Sequence, residues 1–187
     1  MRAFVTGGSG FLGSHIVDAC LARADAVVAL VRPTSDTTYL DSLDVQMVVG
    51  DLSDERALAR MLHGVDVIYH AAARVLDYGT REQFFEANVR GTERLLSAAR
   101  AAGVPRFVFI SSPSVVMNGA DQVDVDERVP YPSRFLNLYS QTKAIAEQRV
   151  IASNGDGLTT CSLRPRGIWG PRDLRGAMPK MIKRMRD

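Results

Sequence analysis

The sequence predicts an α/β protein, a doubly wound parallel sheet in three layers (α/β/α), over its 187 residues. Three observations predict it. Short runs rich in β-branched residues alternate with helical patterns along the chain. Those runs are continuously apolar rather than alternating, as a parallel sheet covered on both faces requires. A glycine-rich turn, with glycines at 7, 10 and 13, follows the first run and opens the first helical pattern.

In chain order, the strand runs are AFVT at 3–6, AVVALV at 26–31, VQMVV at 45–49, VDVIYH at 65–70, RFVFIS at 106–111 and TTCSLR at 159–164. Helical patterns fill 10–23, 54–63, 81–102, 137–153 and 176–186, the third carrying Leu95, Leu96, Ala98 and Ala99 at helical spacing. Gly103 just past that helix and Pro105 soon after are ordinary stop signals. The irregular piece from Pro113 to Leu136 exceeds the usual loop length, and such loops are commonly functional.

Composition excludes several classes. With 46% hydrophobic and 24% charged residues, the chain has the make-up of a soluble domain with a full core. Its 23 basic and 21 acidic residues give a net charge of +2 and are scattered, so neither nucleic acid nor an anionic membrane is indicated. The locally basic KMIKRMRD reads as a solvated helix face. Cys20 and Cys161 offer neither a disulfide framework nor a metal-ligand spacing; both read as core thiols, and no metal is expected. No run reaches the roughly 18 apolar residues of a membrane helix, and the first is too short for a signal sequence. A cytoplasmic enzyme or binding protein acting on a small molecule is the expectation.

In a strand–turn–helix setting Gly7 permits a tight turn, Gly10 lets a diphosphate approach the helix N-terminus, and Gly13 lets the helix pack closely. The ligand indicated is a dinucleotide on a Rossmann-type fold, although the glycine spacing departs from GxGxxG and a merely structural turn is the competing reading. Arg32 ends the second strand, where a carboxylate would take the ribose hydroxyls of NAD. A guanidinium there pairs with a 2′-phosphate and favours NADP(H) over NAD(H). The alternative is a solvated arginine neutralised by Asp36. Asp51 and Leu52 sit where an adenine would be cradled, unless Asp51 or Ser53 simply caps the next helix.

Tyr139 and Lys143 are four apart on one predicted helix, which places the ammonium near the phenol. Its charge would lower the phenol pKa from about 10 toward working pH. A phenol so tuned passes a proton to or from an alcohol oxygen while hydride moves at the carbon. Ser111 and Ser112 end the fifth strand, at the carboxyl edge where doubly wound sheets bind ligands. Ser112 is the choice for polarising a substrate carbonyl, with Ser111 and Ser114 as stand-ins. His70 ends an apolar strand and reads as structural. Trp169 reads as packing under the substrate loop, and Met178, Met181 and Met185 as a stripe covering the sheet or facing a partner.

The segments TGGSGFLG (6–13), GDLSD (50–54), HAAA (70–73), NVRGT (88–92), FISSPSVV (109–116), YSQTK (139–143) and LRPRGIWGPRD (163–173) occur in an order that resembles the extended short-chain dehydrogenase/reductases. That family uses this glycine spacing. Within it, the chain is most similar to the 3β-hydroxysteroid dehydrogenase/isomerase branch, with sterol-4-carboxylate 3-dehydrogenases and bacterial 2-alkyl-3-oxoalkanoate reductases closest. The resemblance implies Tyr139 as acid/base, Lys143 as the group that orients the nicotinamide ribose, Ser112 on the substrate oxygen, and Asn88 holding the geometry beneath them. It implies cofactor contacts from Gly7, Ser9, Gly10, Phe11 and Leu12, from Arg32, Asp51 and Leu52, and from Ala71, Ala72 and Ala73. Ser111, Tyr139, Lys143, Pro165, Gly167 and Ile168 complete the set.

The activity implied is an NAD(P)-dependent interconversion of a secondary alcohol and a ketone on a sterol-like or 3-oxoacyl substrate. A nucleotide-sugar epimerase or dehydratase of the same family is the alternative, and a non-catalytic dinucleotide-binding module a second one. Family members continue well past the GPRD motif. The chain is therefore expected to be a single dinucleotide-binding domain that lacks most of the C-terminal substrate subdomain, with 165–187 as the start of that region. Either the pocket is open on one side or a partner chain completes it. The family also implies a homodimer through the 81–102 and 137–153 helices.

Overall fold

The computed structural model describes residues 1–75, 78–174 and 176–186. Strands β1 (Arg2–Thr6), β2 (Ala26–Val31), β3 (Gln46–Val49), β4 (Val67–His70), β5 (Arg106–Ile110) and β6 (Thr159–Leu163) form one sheet in the order β3-β2-β1-β4-β5-β6. Every neighbouring pair is parallel, so the expected doubly wound sheet is present. The helices are α1 (Phe11–Ala22), α2 (Glu55–Met61), α3 (Arg81–Phe84), α4 (Gly91–Ala101), α5 (Leu138–Ala152) and α6 (Ala177–Arg186).

Strand order reverses between β1 and β4, which creates the switch point where such sheets take ligands. Register brings the carboxyl ends level there: Thr6 pairs with His70, His70 with Phe109, and Ile110 with Leu163. The pleat of β1 sorts the core. Phe4 joins Ile68, Phe107, Phe109, Leu58, Leu62, Leu95 and Val150 on the face covered by α2, α4 and α5. Ala3 and Val5 join Val27, Ala29, Val31, Val17, Cys20 and Leu40 under α1. Each such Leu or Phe contributes about 1.5–3 kcal/mol by leaving water.

Several expectations are corrected here. The predicted 81–102 helix is present without a break from Arg81 to Ala101, but residues Phe85–Arg90 take a π-helical turn between α3 and α4 that the sequence did not predict. The Thr92 hydroxyl donates to the Asn88 carbonyl there at 2.7 Å, and the Asn88 side chain is held from outside the helix. Neither Asp51 nor Ser53 caps α2. Asp54 does, accepting from the Ala57 amide at 2.9 Å, while Asp51 accepts from the Ser53 amide. Cys20 is a core thiol, but Cys161 is exposed, because β6 is the outer strand of the sheet and alternate residues face out. Trp169 is 69% exposed rather than packed, on a segment that runs over the sheet edge. Met178, Met181 and Met185 on α6 are likewise exposed and do not cover the sheet.

Among the described residues, no helix is long and apolar enough to cross a membrane, and no group of three His, Cys, Asp or Glu side chains is placed to hold a metal ion.

Candidate active site

The glycine turn is folded tightly against the end of β4. Gly7 has φ +73°, and a Cβ there would lie 2.8 Å from the Ala72 nitrogen and 3.0 Å from the Ala71 carbonyl carbon. At Gly13 a Cβ would lie 2.0 Å from the Gly7 oxygen, so α1 meets the turn backbone to backbone. Gly10 is the N-cap of α1 and supplies no side-chain acceptor, and the first turn carries no acid. Among the described residues nothing accepts from the Phe11, Leu12 and Gly13 amides, which sit at the positive end of the helix. Free donors, no competing carboxylate and a backbone without Cβ atoms fit a diphosphate.

On the adenosine side Arg32 is exposed just past β2, its amide donating to Ser35 Oγ at 3.0 Å. The alternative of neutralisation by Asp36 is not seen, since that carboxylate accepts instead from the Thr38 amide and hydroxyl at 3.1 and 2.7 Å. The Arg32 guanidinium has no carboxylate within 4.0 Å among the described residues. Asp51 is exposed beyond β3, and Leu52 packs on Gly91, where even a Cβ would come within 3.2 Å of it.

His70 is structural, as the sequence suggests. Its Nε2 meets Thr92 Oγ1 at 2.9 Å, and because that hydroxyl donates to the Asn88 carbonyl, Nε2 is the protonated nitrogen. Nδ1 therefore accepts from the Thr6 hydroxyl at 2.7 Å, and Thr6 Oγ1 in turn accepts from the Ala72 amide. Burial, with Lys143 adding repulsion, pulls its pKa down to about 3 and keeps the ring neutral.

Asn88, buried in the π-helical turn, accepts from the Arg74 amide at 2.7 Å and donates to the Arg74 carbonyl and to Thr142 Oγ1. It joins the loop after β4 to α5 immediately before Lys143.

The chemical groups gather at the carboxyl end of β5. Ser112 Oγ meets Ser114 Oγ at 3.0 Å and caps the short turn Pro113–Val116. Lys143 Nζ is buried, donates to the Ile110 carbonyl at 2.5 Å and lies 3.8 Å from the centroid of the Phe109 ring. Burial pulls its pKa down to about 7, with Glu147 opposing the fall. The Tyr139 phenol is raised above its ordinary value by burial, with the Ser112 hydroxyl opposing the rise. The expected lowering by Lys143 is not seen, because burial dominates. Pro165, Gly167 and Ile168 lie on the segment that follows β6 at this same edge.

The sequence pattern of the 3-beta hydroxysteroid dehydrogenase/isomerase family matches residues 4–186. The chain belongs to that family. It is 42% identical over 186 residues to a 4-hydroxy-2-methyl-3-oxo-4-farnesyl-3,4-dihydroquinoline-1-oxide ketoreductase of Stigmatella aurantiaca, covering 100% of this chain and 55% of that one. It is 42% identical over 180 residues to a 3-beta-hydroxysteroid dehydrogenase of Mycolicibacterium neoaurum, covering 92% and 49%. Among solved structures it is similar to DesIV, a dTDP-glucose 4,6-dehydratase of Streptomyces venezuelae with NAD and TYD bound. The TM-score is 0.89 at 32% identity, over 100% of this chain and 62% of that one. The chain thus spans about half the length of the curated relatives it matches.

Two side chains that the sequence reading missed organise the edge of this family member's site. Glu147, fully buried, accepts from Arg164 at 2.6 Å, from the Tyr131 hydroxyl at 2.7 Å and from Ser162 Oγ at 2.8 Å. Burial alone would raise its pKa, but these donors outweigh it and hold the carboxyl below its ordinary value. The buried Ser111 Oγ faces it with no hydrogen-bond partner of its own. The signal was available: Tyr139, Lys143 and Glu147 recur at four-residue spacing on one helix. The second is Arg172 of the GPRD motif, which reaches back across the chain to α1.

Proposed function

We propose that this chain is the dinucleotide-binding and proton-transferring part of an NAD(P)-dependent oxidoreductase that interconverts a secondary alcohol and a ketone on a bulky apolar substrate. The observation that carries it is the gathering of Ser112, Tyr139 and Lys143 at the carboxyl end of β5, beside a glycine turn whose helix amides are free. The names of relatives that reduce a 3-oxo compound or oxidise a 3β-hydroxysteroid support the substrate class.

A bound nicotinamide dinucleotide supplies or takes up the hydride. The chain's residues do the rest. Burial keeps the Tyr139 phenol protonated, so in the reductive direction it has a proton to give to the carbonyl oxygen. Ser112 donates a hydrogen bond to the same oxygen as negative charge develops on it. Lys143, buried one helical turn from Tyr139, is assigned to hold the nicotinamide ribose. Asn88 fixes α5 against the loop after β4, so these groups do not drift apart. Arg32, without a carboxylate partner, favours the 2′-phosphate of NADP(H) over NAD(H). Residues 165–187 are read as the beginning of the substrate-binding region.

The test is loss of nicotinamide absorbance when the purified protein meets reduced cofactor and a panel of 3-keto steroids and 2-alkyl-3-oxo acids. Turnover of at least one is expected, and turnover of none of them would overturn the reading. The likeness to DesIV favours a second reading, a nucleotide-sugar epimerase or dehydratase. Conversion of a sugar nucleotide with no net change in absorbance would select it. Tight cofactor binding with no reaction of either kind would reduce the protein to a binding module.

A further inference from the structure

We infer that residues 164–173 form a strap across the mouth of the dinucleotide cleft and that Arg172 is the latch holding it closed, so that dinucleotide enters and leaves only when Arg172 releases α1. This rests on the dinucleotide reading above.

The path of the segment is set by topology. It leaves β6, the outer strand beyond β5, and arrives at α1, which follows β1 at the sheet centre. Three strand spacings separate the two, about 14 Å at the usual separation. The segment therefore spans the width that β5 and β4 occupy, starting level with the carboxyl end of β5 where Leu163 pairs with Ile110, and in the strap reading it passes over their carboxyl ends.

Both ends are fastened and the middle is not. At the start, Arg164 is locked into the buried Glu147. At the far end, a Cβ on Gly170 would stand 3.9 Å from the ring of Phe11, the first residue of α1 and one of the residues whose amide is free. The Pro171 carbonyl meets His15 Nε2 at 2.9 Å. Arg172 then donates to Ser14 Oγ at 2.9 Å, to His15 Nδ1 at 2.9 Å and to Asp18 at 2.5 Å. Between these anchors Ile168 and Trp169 are exposed.

Arg172 also reaches the adenosine side. Its guanidinium lies 4.0 Å from the centroid of the Tyr39 ring, on the loop after β2 that begins with Arg32, and the Tyr39 hydroxyl donates to the other oxygen of Asp18 at 2.7 Å. One side chain thus ties the segment after β6 to α1 and to the β2–β3 loop. It does so from a left-handed backbone, φ +68°, which a non-glycine residue adopts only when its surroundings hold it there. Its charge is already matched by Asp18, so it is placed as a fastener and not as a phosphate ligand.

The experiment is stopped-flow binding of NADPH to the wild-type chain and to Arg172→Ala and Arg172→Lys, with circular dichroism to confirm folding. An unlatched strap raises the dissociation rate about tenfold or more and does not lower the association rate. Arg172→Lys, which keeps the charge but loses the fork and the ring stacking, should fall between. Asp18→Asn, which leaves Arg172 in place, provides a second variant and should also speed dissociation. Unchanged dissociation in folded Arg172→Ala and Asp18→Asn would overturn the latch. A lowered association rate in Arg172→Ala would overturn it too, showing that the guanidinium attracts the phosphates instead. If the wild-type chain binds neither NADPH nor NADH, it is the dinucleotide reading that fails, and the latch with it.

Discussion

Lys143 Nζ is bonded to the carbonyl oxygen of Ile110, which ends strand β5, and this places a cation in the core one helical turn from the Tyr139 phenol. The cost of burying that charge has a pH signature. With a folded pKa of about 7 against roughly 10.4 in an unfolded chain, the unfolded state binds more protons between those values, so this group makes stability rise with pH across that window. Below pH 7 the penalty is present in full. Lys143→Met should therefore be more stable than the wild type at pH 6, by about 1–3 kcal/mol, and show a flatter profile up to pH 10. Urea unfolding across pH checks this, and equal stability at pH 6 would contradict it. The same variant should bind dinucleotide more weakly.

Tyr139→Phe keeps the half-buried ring and removes only the exchangeable proton. Turnover should fall by about a thousandfold, within the range for losing a positioned acid, while NADPH affinity stays within about twofold. Initial rates and a binding titration on the same preparation separate the two quantities.

His70→Leu should cost about 1–3 kcal/mol at pH 7.5, because the Thr6 hydroxyl loses its acceptor inside the core. The gap should narrow with acid. The wild-type imidazole, neutral when folded, takes up a proton on unfolding once pH drops below about 6.5, and this loss of stability continues toward its folded pKa of about 3. The leucine variant has no such loss. Unfolding midpoints at pH 7.5, 6 and 5 test the trend.

Arg32→Ser should weaken NADPH by about tenfold or more and leave NADH within about twofold, the signature of one charged hydrogen bond to a 2′-phosphate. Isothermal titration with both cofactors reads it directly. Equal effects on the two would mean that Arg32 serves another part of the adenosine.

What could be read from the sequence was what is local. The six strands, the glycine turn and the Tyr139–Lys143 spacing are patterns within short windows, and β2 was placed at its observed ends. What was hidden depends on partners far along the chain. The π-helical turn accompanies the grip of Asn88 on Thr142, 54 residues away. The direction of the Tyr139 shift follows from burial, which a helical spacing does not reveal. Cys161 is exposed because β6 lies at the edge of the sheet, a fact of strand order. Glu147 draws its donors from a strand, a loop and the residue beyond that strand, and only the fold assembles them.

The central claim is that the carboxyl edge between β1 and β4 is a dinucleotide cleft with its diphosphate on the first turn of α1. Fluorescence titration of NADPH and NADH into the wild-type chain and Gly10→Glu tests it most directly. A glutamate there sits favourably at the positive helix end while occupying the phosphate position. Saturable binding to the wild type, lost in a Gly10→Glu variant that remains folded, is the predicted result. Binding that survives in Gly10→Glu, or no binding of either coenzyme to the wild type, would contradict it.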